Sequence, residues 1–264
     1  MRQPLPAGLT LDDVRREIDA IDDTLLELLA RRFAMVDHVK ALKQSLAAAG
    51  SPLRPAREAS VLRRLVTNGA AAGLNPDLLV RLWPAIFSEA TRIQNPVTIH
   101  VSKRLSQTIG NRLRIRDYFP LMQVEECRDE AQAILEVDAN ANDICIVECD
   151  APWIAPWRAS ATKARVMAAL PFLADEPQPR LLVLGHAPAE PSGEDETLIA
   201  TNGSLPREFQ LKPRWQVKSG DFRLTALNGF LSEKESPLLG LIRANGSLGL
   251  KIVGRYPAPM ERAP

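Results

Sequence analysis

From Leu11 to about Ala48 the chain contains no proline or glycine, and apolar residues recur at three- and four-residue steps: Val14, Ile18, Ile21, Leu25, Leu28, Leu29, Val36 and Val39. The first break is Gly50. This spacing predicts one unusually long helix with an apolar stripe. Its start is well marked. Thr10 can cap the first turn, Asp13 stands three residues on as a capping-box acid, and Leu9 can staple onto Val14.

Three basic residues on that helix stand out by their spacing. Arg32 and Lys43 fall roughly 20° apart around the axis and about 16 Å apart along it, so two long side chains leaning toward each other could hold one small dianion. Arg15 lies about 25 Å from Arg32 on the same rod and cannot share that ligand within one chain. It could do so from a second chain, if two copies pair antiparallel about a two-fold axis near Leu25 to Leu29. The bland reading is that these are solvated cations with helical partners, such as Arg15 with Asp19.

Residues 49–56 form a break, and Arg57-Glu58 opens a second helix running to about Gly69, with Leu62, Leu65 and Val66 as its buried stripe. A third starts at Asn75-Pro76-Asp77, a cap followed by proline at the first helical position, and runs through Leu82, Trp83, Ile86, Phe87 and Ile93 to Gln94. The N-terminal part is therefore all helical. Arg15, the run Ile18 to Asp22, Leu28-Leu29-Ala30, Arg32, Lys43, Arg57-Glu58 and Gln94 together resemble the all-helical, AroQ-type chorismate mutase family. The likeness covers Leu11 to about Asn95, a third of the chain.

That resemblance implies a three-helix domain over residues 1–96, intertwined with an antiparallel copy, that rearranges chorismate to prephenate. The reaction is unimolecular, so it calls for no cofactor and no metal. Catalysis would be positioning plus electrostatics, with both substrate carboxylates clamped to hold the enolpyruvyl arm over the ring. By family correspondence Arg32 and Arg15 of a second copy hold one carboxylate end, and Arg57 the region of the other; arginine's planar fork suits a carboxylate. Lys43 and Gln94 match the donors aimed at the breaking ether oxygen, where negative charge develops. Glu58 accepts from the ring hydroxyl, or donates to the ether side if burial raises its pKa. The sequence departs from the family at Arg54, where many relatives carry an acid near the ring hydroxyl, and at Ala90, where many carry serine. Pro84 inside the third helix predicts a kink near Trp83.

After Asn95-Pro96 the helical period gives way to short apolar runs at Val97–Val101, Leu121–Val124, Ile144–Val147, Leu181–Leu184, Leu239–Ile242 and Leu250–Val253. Helix-like segments lie between some of them, at Asp129–Val137 and Ala161–Leu170. The alternation predicts an α/β or α+β domain over residues 97–264. The order around Pro179-Arg180-Leu181 and Ser192-Gly193 resembles a degenerate prephenate dehydratase region. Proline stands there where that family's threonine supplies a hydroxyl, and Glu148-Cys149-Asp150 replaces its Glu-Asn-Ser segment, which points to a non-catalytic domain. The loop Ala187 to Glu196 is rich in proline and acid and is expected to be solvated. Packing is the expected role of Trp153 and Trp157, and Arg180 reads as a solvated or salt-bridged residue at a strand edge.

Composition sets the remaining bounds. With 264 residues, 45% hydrophobic, there is length for two domains, and a net charge of +1 argues against a nucleic-acid surface. No signal-peptide pattern and no run of about 18 apolar residues is present, so the expected setting is cytoplasmic, with no membrane and no nucleic-acid partner. Cys127, Cys145 and Cys149 read as reduced buried thiols, since neither they nor the scattered His38, His100 and His186 have metal-site spacing. The leading function is chorismate mutase acting as a homodimer. The alternatives are a bifunctional mutase and dehydratase, a non-catalytic helical dimerisation module with a metabolite-sensing domain, and, on the same scaffold, an isochorismate pyruvate lyase. A plain zipper would want apolar residues at Arg32 and Lys43, which disfavours the dimerisation module.

Overall fold

The computed structural model describes residues 9–45 and 51–262, with side chains described through Leu42 in the first span. Helix α1 (Leu11–Ser45) is a single rod. Its predicted cap is present and reciprocal: the Asp13 amide donates to Thr10 Oγ1 at 3.2 Å, and the Thr10 amide donates to Asp13 Oδ2 at 2.9 Å. The expected end near Ala48 lies outside the described residues. Helix α2 (Pro55–Ala71) carries its proline in the first turn and stops in a Schellman motif. There the Leu74 amide donates to the Gly69 carbonyl at 2.8 Å, and Gly73 takes φ +76°, which a side chain would disfavour. Helix α3 (Pro76–Gln94) begins as its sequence predicts, with Asn75 Oδ1 accepting from the Asp77 amide at 2.8 Å, and continues through Pro84 to Gln94.

The rest of the chain is a mixed α/β sheet region. In order come β1 (Thr98–Ser102), α4 (Lys103–Ser106), α5 (Ile109–Tyr118), β2 (Gln123–Cys127), α6 (Glu130–Ala139), β3 (Ile144–Glu148) and α7 (Ile154–Ala159). They are followed by β4 (Arg165–Leu170), β5 (Leu173–Ala174), β6 (Leu181–Gly185), β7 (Asp195–Thr201), β8 (Pro213–Ser219), β9 (Phe222–Asn228), α8 (Leu238–Ala244), β10 (Lys251–Pro257) and β11 (Met260–Glu261). Among the described residues nine strands form one sheet in the order β2-β1-β3-β6-β4-β10-β7-β9-β8, parallel where β1 meets β2 and β3 and where β4 meets β10, antiparallel elsewhere. Strands β5 and β11 pair separately.

Both faces of the central strands are covered, which explains their unbroken apolar runs. In β3 and β6, Cys145, Val147, Leu182 and Leu184 join one core with Trp153 and Tyr256, while Ile144, Ile146, Leu181 and Val183 join another with Ile99 and Leu105. Trp153 and Trp157 pack in the first core, and Arg180 is an exposed residue 3.9 Å from Glu176.

Two element predictions need correcting. Ala161–Leu170, read as helix, contains strand β4, which pairs antiparallel with β6 from Arg165 opposite Gly185 to Leu170 opposite Leu181. Leu239–Ile242, read as strand, belongs to α8, whose Leu238 is buried with Ile199, Leu227 and Ile252. Both are short apolar runs whose period does not separate helix from strand.

The helical part does not stand apart from the sheet. Val66 of α2 and Leu79 and Val80 of α3 share a core with Leu173, and Ala59 and Leu62 share another with Phe172. Between β4 and β10 the approach is closest at Gly254, where a Cβ would sit 2.0 Å from the Val166 carbonyl oxygen. Backbone cannot yield there as a flexible side chain could. Gly254→Ala should therefore cost about 3 kcal/mol of stability, read as a lowered midpoint in urea or thermal unfolding; an unchanged midpoint would show that the two strands have slack.

Candidate active site

The first link between the helices and a ligand-sized space is at the end of α3. Lys40 Nζ of α1 donates to the Ile93 carbonyl at 2.8 Å, which ties the rod to the terminal turn of α3 and satisfies one of its open carbonyls. Beside it lies a cavity of about 540 Å³. Val39 of α1, Arg54, Arg57 and Ser60 at the start of α2, Gln94 of α3, and Glu190 and Pro191 from the loop between β6 and β7 line it. Arg57 and Gln94, distant in sequence, both line this cavity. Gln94 Nε2 donates to the Ala90 carbonyl at 3.1 Å, one turn back on its own helix. Arg57 is exposed, and among the described residues no hydrogen bond or ion pair holds it. Lys43 sits one turn beyond Val39 on α1, but its side chain lies outside the described residues.

The other sequence-predicted residues are placed differently. Arg32 is half-buried, its guanidinium 5.8 Å from the ring centres of both Phe33 and Phe87. Burial lowers its pKa, and its Nη1 is buried with no hydrogen-bond partner among the described residues. A guanidinium donor left this way is costly unless something else completes it. Arg15 is exposed and, among the described residues, pairs with Asp12 alone, at 3.2 Å, rather than with Asp19. Nothing in one chain brings Arg15 to Arg32.

The structure does not bring Glu58 to the cavity that Arg57 lines. One residue on from Arg57, it turns about 100° around α2 and lines a small, mostly apolar cavity with Leu62, Pro84, Phe87, Tyr118 and Phe172. Burial there pushes its carboxyl up to about 7, against a lowering by the Arg54 backbone. Ala90 is buried, and Pro84 faces the Glu58 cavity.

Several contacts in this region had no signal in the sequence. Arg54 Nη2 meets Glu190 Oε1 at 2.6 Å. Arg63 of α2 donates to Ser192 Oγ at 2.9 Å, the Glu194 carbonyl at 2.7 Å and the Ala258 carbonyl at 2.8 Å. The loop expected to be solvated is therefore docked on α2. Its acids read as a solubilising tract, and only the tertiary fold, across more than a hundred residues of sequence, supplies their arginine partners.

Polar groups at the ends of β1 and β3 satisfy one another. Glu148 accepts from Asn111 Nδ2 at 2.9 Å and pairs with Arg104 at 2.7 Å, and Ser102 Oγ donates to Glu130 at 2.9 Å. The Cys149 thiol, pushed up to about 11 by burial, donates to the Pro179 carbonyl at 2.7 Å. His100 Nε2 is 3.1 Å from Asp143 in the core. Among the described residues no cluster of histidine, cysteine or carboxylate side chains is placed to hold a metal ion, and no helix is long and apolar enough to cross a membrane.

Comparison with known proteins gives three findings. Residues 14–95 match the family model of chorismate mutase type II. No curated protein matches the chain. Among solved structures, one titled as GqqA, a novel type of quorum quenching acylases, is 14% identical with a TM-score of 0.39, covering 61% of this chain and 95% of that one. A prephenate dehydratase from Streptococcus mutans is also 14% identical, with a TM-score of 0.36 and coverage of 62% and 99%. Both likenesses are too distant to speak for activity.

The raised Glu58 carboxyl sets a pH dependence. Its neutral form is favoured in the fold, so its contribution to stability is complete below about 4.5 and is lost as pH rises through about 7. The stability of the native protein minus that of Glu58→Gln should fall across this window by on the order of 2 kcal/mol, allowing for partial exposure. Parallel urea titrations from pH 4 to pH 8 check it, and a constant difference would mean the carboxyl is not held neutral.

Proposed function

We propose, from the premise that residues 14–95 are a chorismate mutase type II domain, that this chain is an isomerase rearranging chorismate to prephenate as a homodimer. The observation that carries the reading is the cavity that gathers Arg57, Gln94 and α1 within the segment of the family match. A doubly charged substrate needs cations to fix its two carboxylates, and the ether bond that breaks needs a neutral or cationic donor. Arg57 supplies the first, unpaired and facing the cavity. Gln94 supplies an amide for the second. Lys43, one turn past Val39, extends the donor set from α1. No proton need leave the substrate, so clamping and electrostatics account for the step.

A second copy completes what one chain leaves open. Ile18, Ile21, Leu25, Leu28 and Leu29 lie on α1 as an exposed apolar stripe, with Leu26, Met35 and Leu42 also exposed. A second α1 laid antiparallel over that stripe buries it and carries Arg15 of the second copy toward Arg32, whose Nη1 lacks a partner. Glu58, set in its own apolar cavity, is proposed to shape the α2–α3 face and to reach the substrate only if the dimer turns α2. The helical unit ends near Pro96, between the last residue of α3 and the first of β1. The setting is proposed to be the cytoplasm, where the buried free thiols of Cys127, Cys145 and Cys149 stay reduced.

The dehydratase alternative is not adopted. The position matched to its threonine is Pro179, whose carbonyl accepts from Cys149 and which offers no hydroxyl.

Purified full-length chain given chorismate without metal or nucleotide should consume it, seen as loss of ultraviolet absorbance, and chromatography should show prephenate with no phenylpyruvate. Absence of turnover would reject the mutase reading. Arg57→Ala and Gln94→Ala should each lower kcat/KM by roughly 10²- to 10³-fold, the cost of removing one oriented donor. Mixed Arg15→Ala and Lys43→Ala chains should regain part of the activity that each lacks alone. Confirmed heterodimers that stay inactive would rule out a site shared between copies.

A further inference from the structure

The sheet region contributes to the cavity itself, through Glu190. Glu190 is the only carboxylate among the described residues lining it, and the other charged residues there, Arg54 and Arg57, are both cations. Arg54 holds one Glu190 oxygen at 2.6 Å, while Glu190 Oε2 makes no hydrogen bond among the described residues. Arg63 anchors the following residues by its bonds to Ser192 and Glu194, so Glu190 is carried on a docked segment. The residue has an unused acceptor, a fixed anchor and a place beside Arg57.

We infer that Glu190 is a substrate-binding residue of the helical site, its free oxygen accepting the hydrogen bond of the substrate's ring hydroxyl, with Arg54 as the positioning residue that holds it there. The inference rests on the mutase reading above. Two carboxylates and a hydroxyl ask a pocket for cations and one acceptor, and cations cannot accept. Arg57 and Gln94 serve the anionic and ether ends, and a carboxylate acceptor makes the stronger bond to a hydroxyl than a neutral one would. The opposite role, a carboxylate of the chain blocking the anion clamp, fits less well. Glu190 pairs with Arg54 and leaves Arg57 open. The downstream half of the chain is then part of the site that the helices begin, and the arginine at position 54 serves to recruit an acid from a distant loop.

The test uses full-length protein, with turnover and calorimetric binding measured side by side for chorismate and for an analogue in which the ring hydroxyl is replaced by hydrogen. Unfolding curves establish that each variant is folded. Glu190→Ala should raise the KM and Kd for chorismate about tenfold or more while changing kcat less, and Glu190→Gln, which keeps an oxygen acceptor, should recover part of the loss. Arg54→Ala should behave as Glu190→Ala does, and the double variant should be no worse than the more impaired single. The native protein should bind the analogue about tenfold more weakly than chorismate, whereas Glu190→Ala should bind the two alike. Equal KM in the native protein and Glu190→Ala, a lower KM in the variant as a blocking role demands, or full discrimination against the analogue without Glu190 would overturn the assignment. Native protein that binds chorismate with this dependence on Glu190 yet turns none over would reject the mutase reading and leave the binding role standing. Native protein that does not bind chorismate rejects both.

Discussion

A rod of 35 residues with an apolar stripe cannot bury that stripe by folding on itself, and this constraint governs the helical part. Helix α3 covers α1 near its C-terminal end, through Lys40 and through the Phe87 ring beside Arg32. The central stretch from Ile18 to Leu29 stays open, with Leu25 and Leu28 more than half exposed. Burying a large aliphatic side chain completely is worth about 1.5–3 kcal/mol, and the five are already about half covered, so covering them offers on the order of 5 kcal/mol per copy before the entropy of association is subtracted. A patch of this length on a single helix is continuous rather than scattered surface apolarity, and it is the face the proposed second copy would cover. The same geometry sets the chemistry. Charges too far apart along one rod can meet only when a second rod runs the other way.

Helix α2 is where the two halves of the chain are joined, because its sides do different work. Arg57 and Ser60 face the cavity. Glu58, Ala59 and Leu62 turn toward Phe172 and Tyr118, and Arg63 reaches Ser192, Glu194 and Ala258. Arg63 is nearly covered, so its bonds to three carbonyls and a hydroxyl are made where water competes poorly, and it stacks over the Phe172 ring at 5.6 Å. By contrast, the Arg54–Glu190 pair is partly exposed and adds little to stability. Its value lies in where it holds a carboxylate. The apolar seam and Arg63 fix the loop, and the exposed pair can then be tuned for recognition.

The long helical run and the local caps were legible in the sequence, and short apolar runs were not. The α1 stripe, the Thr10–Asp13 cap and the Asn75-Pro76 start depend on neighbours within a turn, so they read correctly from the chain alone. Arg57 and Gln94, singled out by a polar pattern spread over three helices, line one cavity. Glu58 shows the limit of such a pattern. A neighbour in sequence is a neighbour on a helix but not on its face, and the sheet region packed against α2 decides which face is buried. The α8 and β4 segments were misread because four to six apolar residues fit either period until a partner is chosen. The loop at 187–194 was misread because acidic and proline-rich composition reports affinity for water, and gives no sign of an arginine more than a hundred residues away.

Arg32 is the clearest unmet polar group on α1. A half-buried guanidinium with an unmet donor lies between two aromatic rings, which offer its faces attraction but give its N–H groups no acceptor. The lowering of its pKa has the same origin, since burial disfavours the cation when no anion is near. A fold would lose nothing by placing methionine or leucine in that niche if packing were the whole purpose. A cation kept there at a cost in stability is consistent with a charge supplied from outside the chain, either by the substrate or across a dimer seam. Either source would offset that cost at the moment of binding.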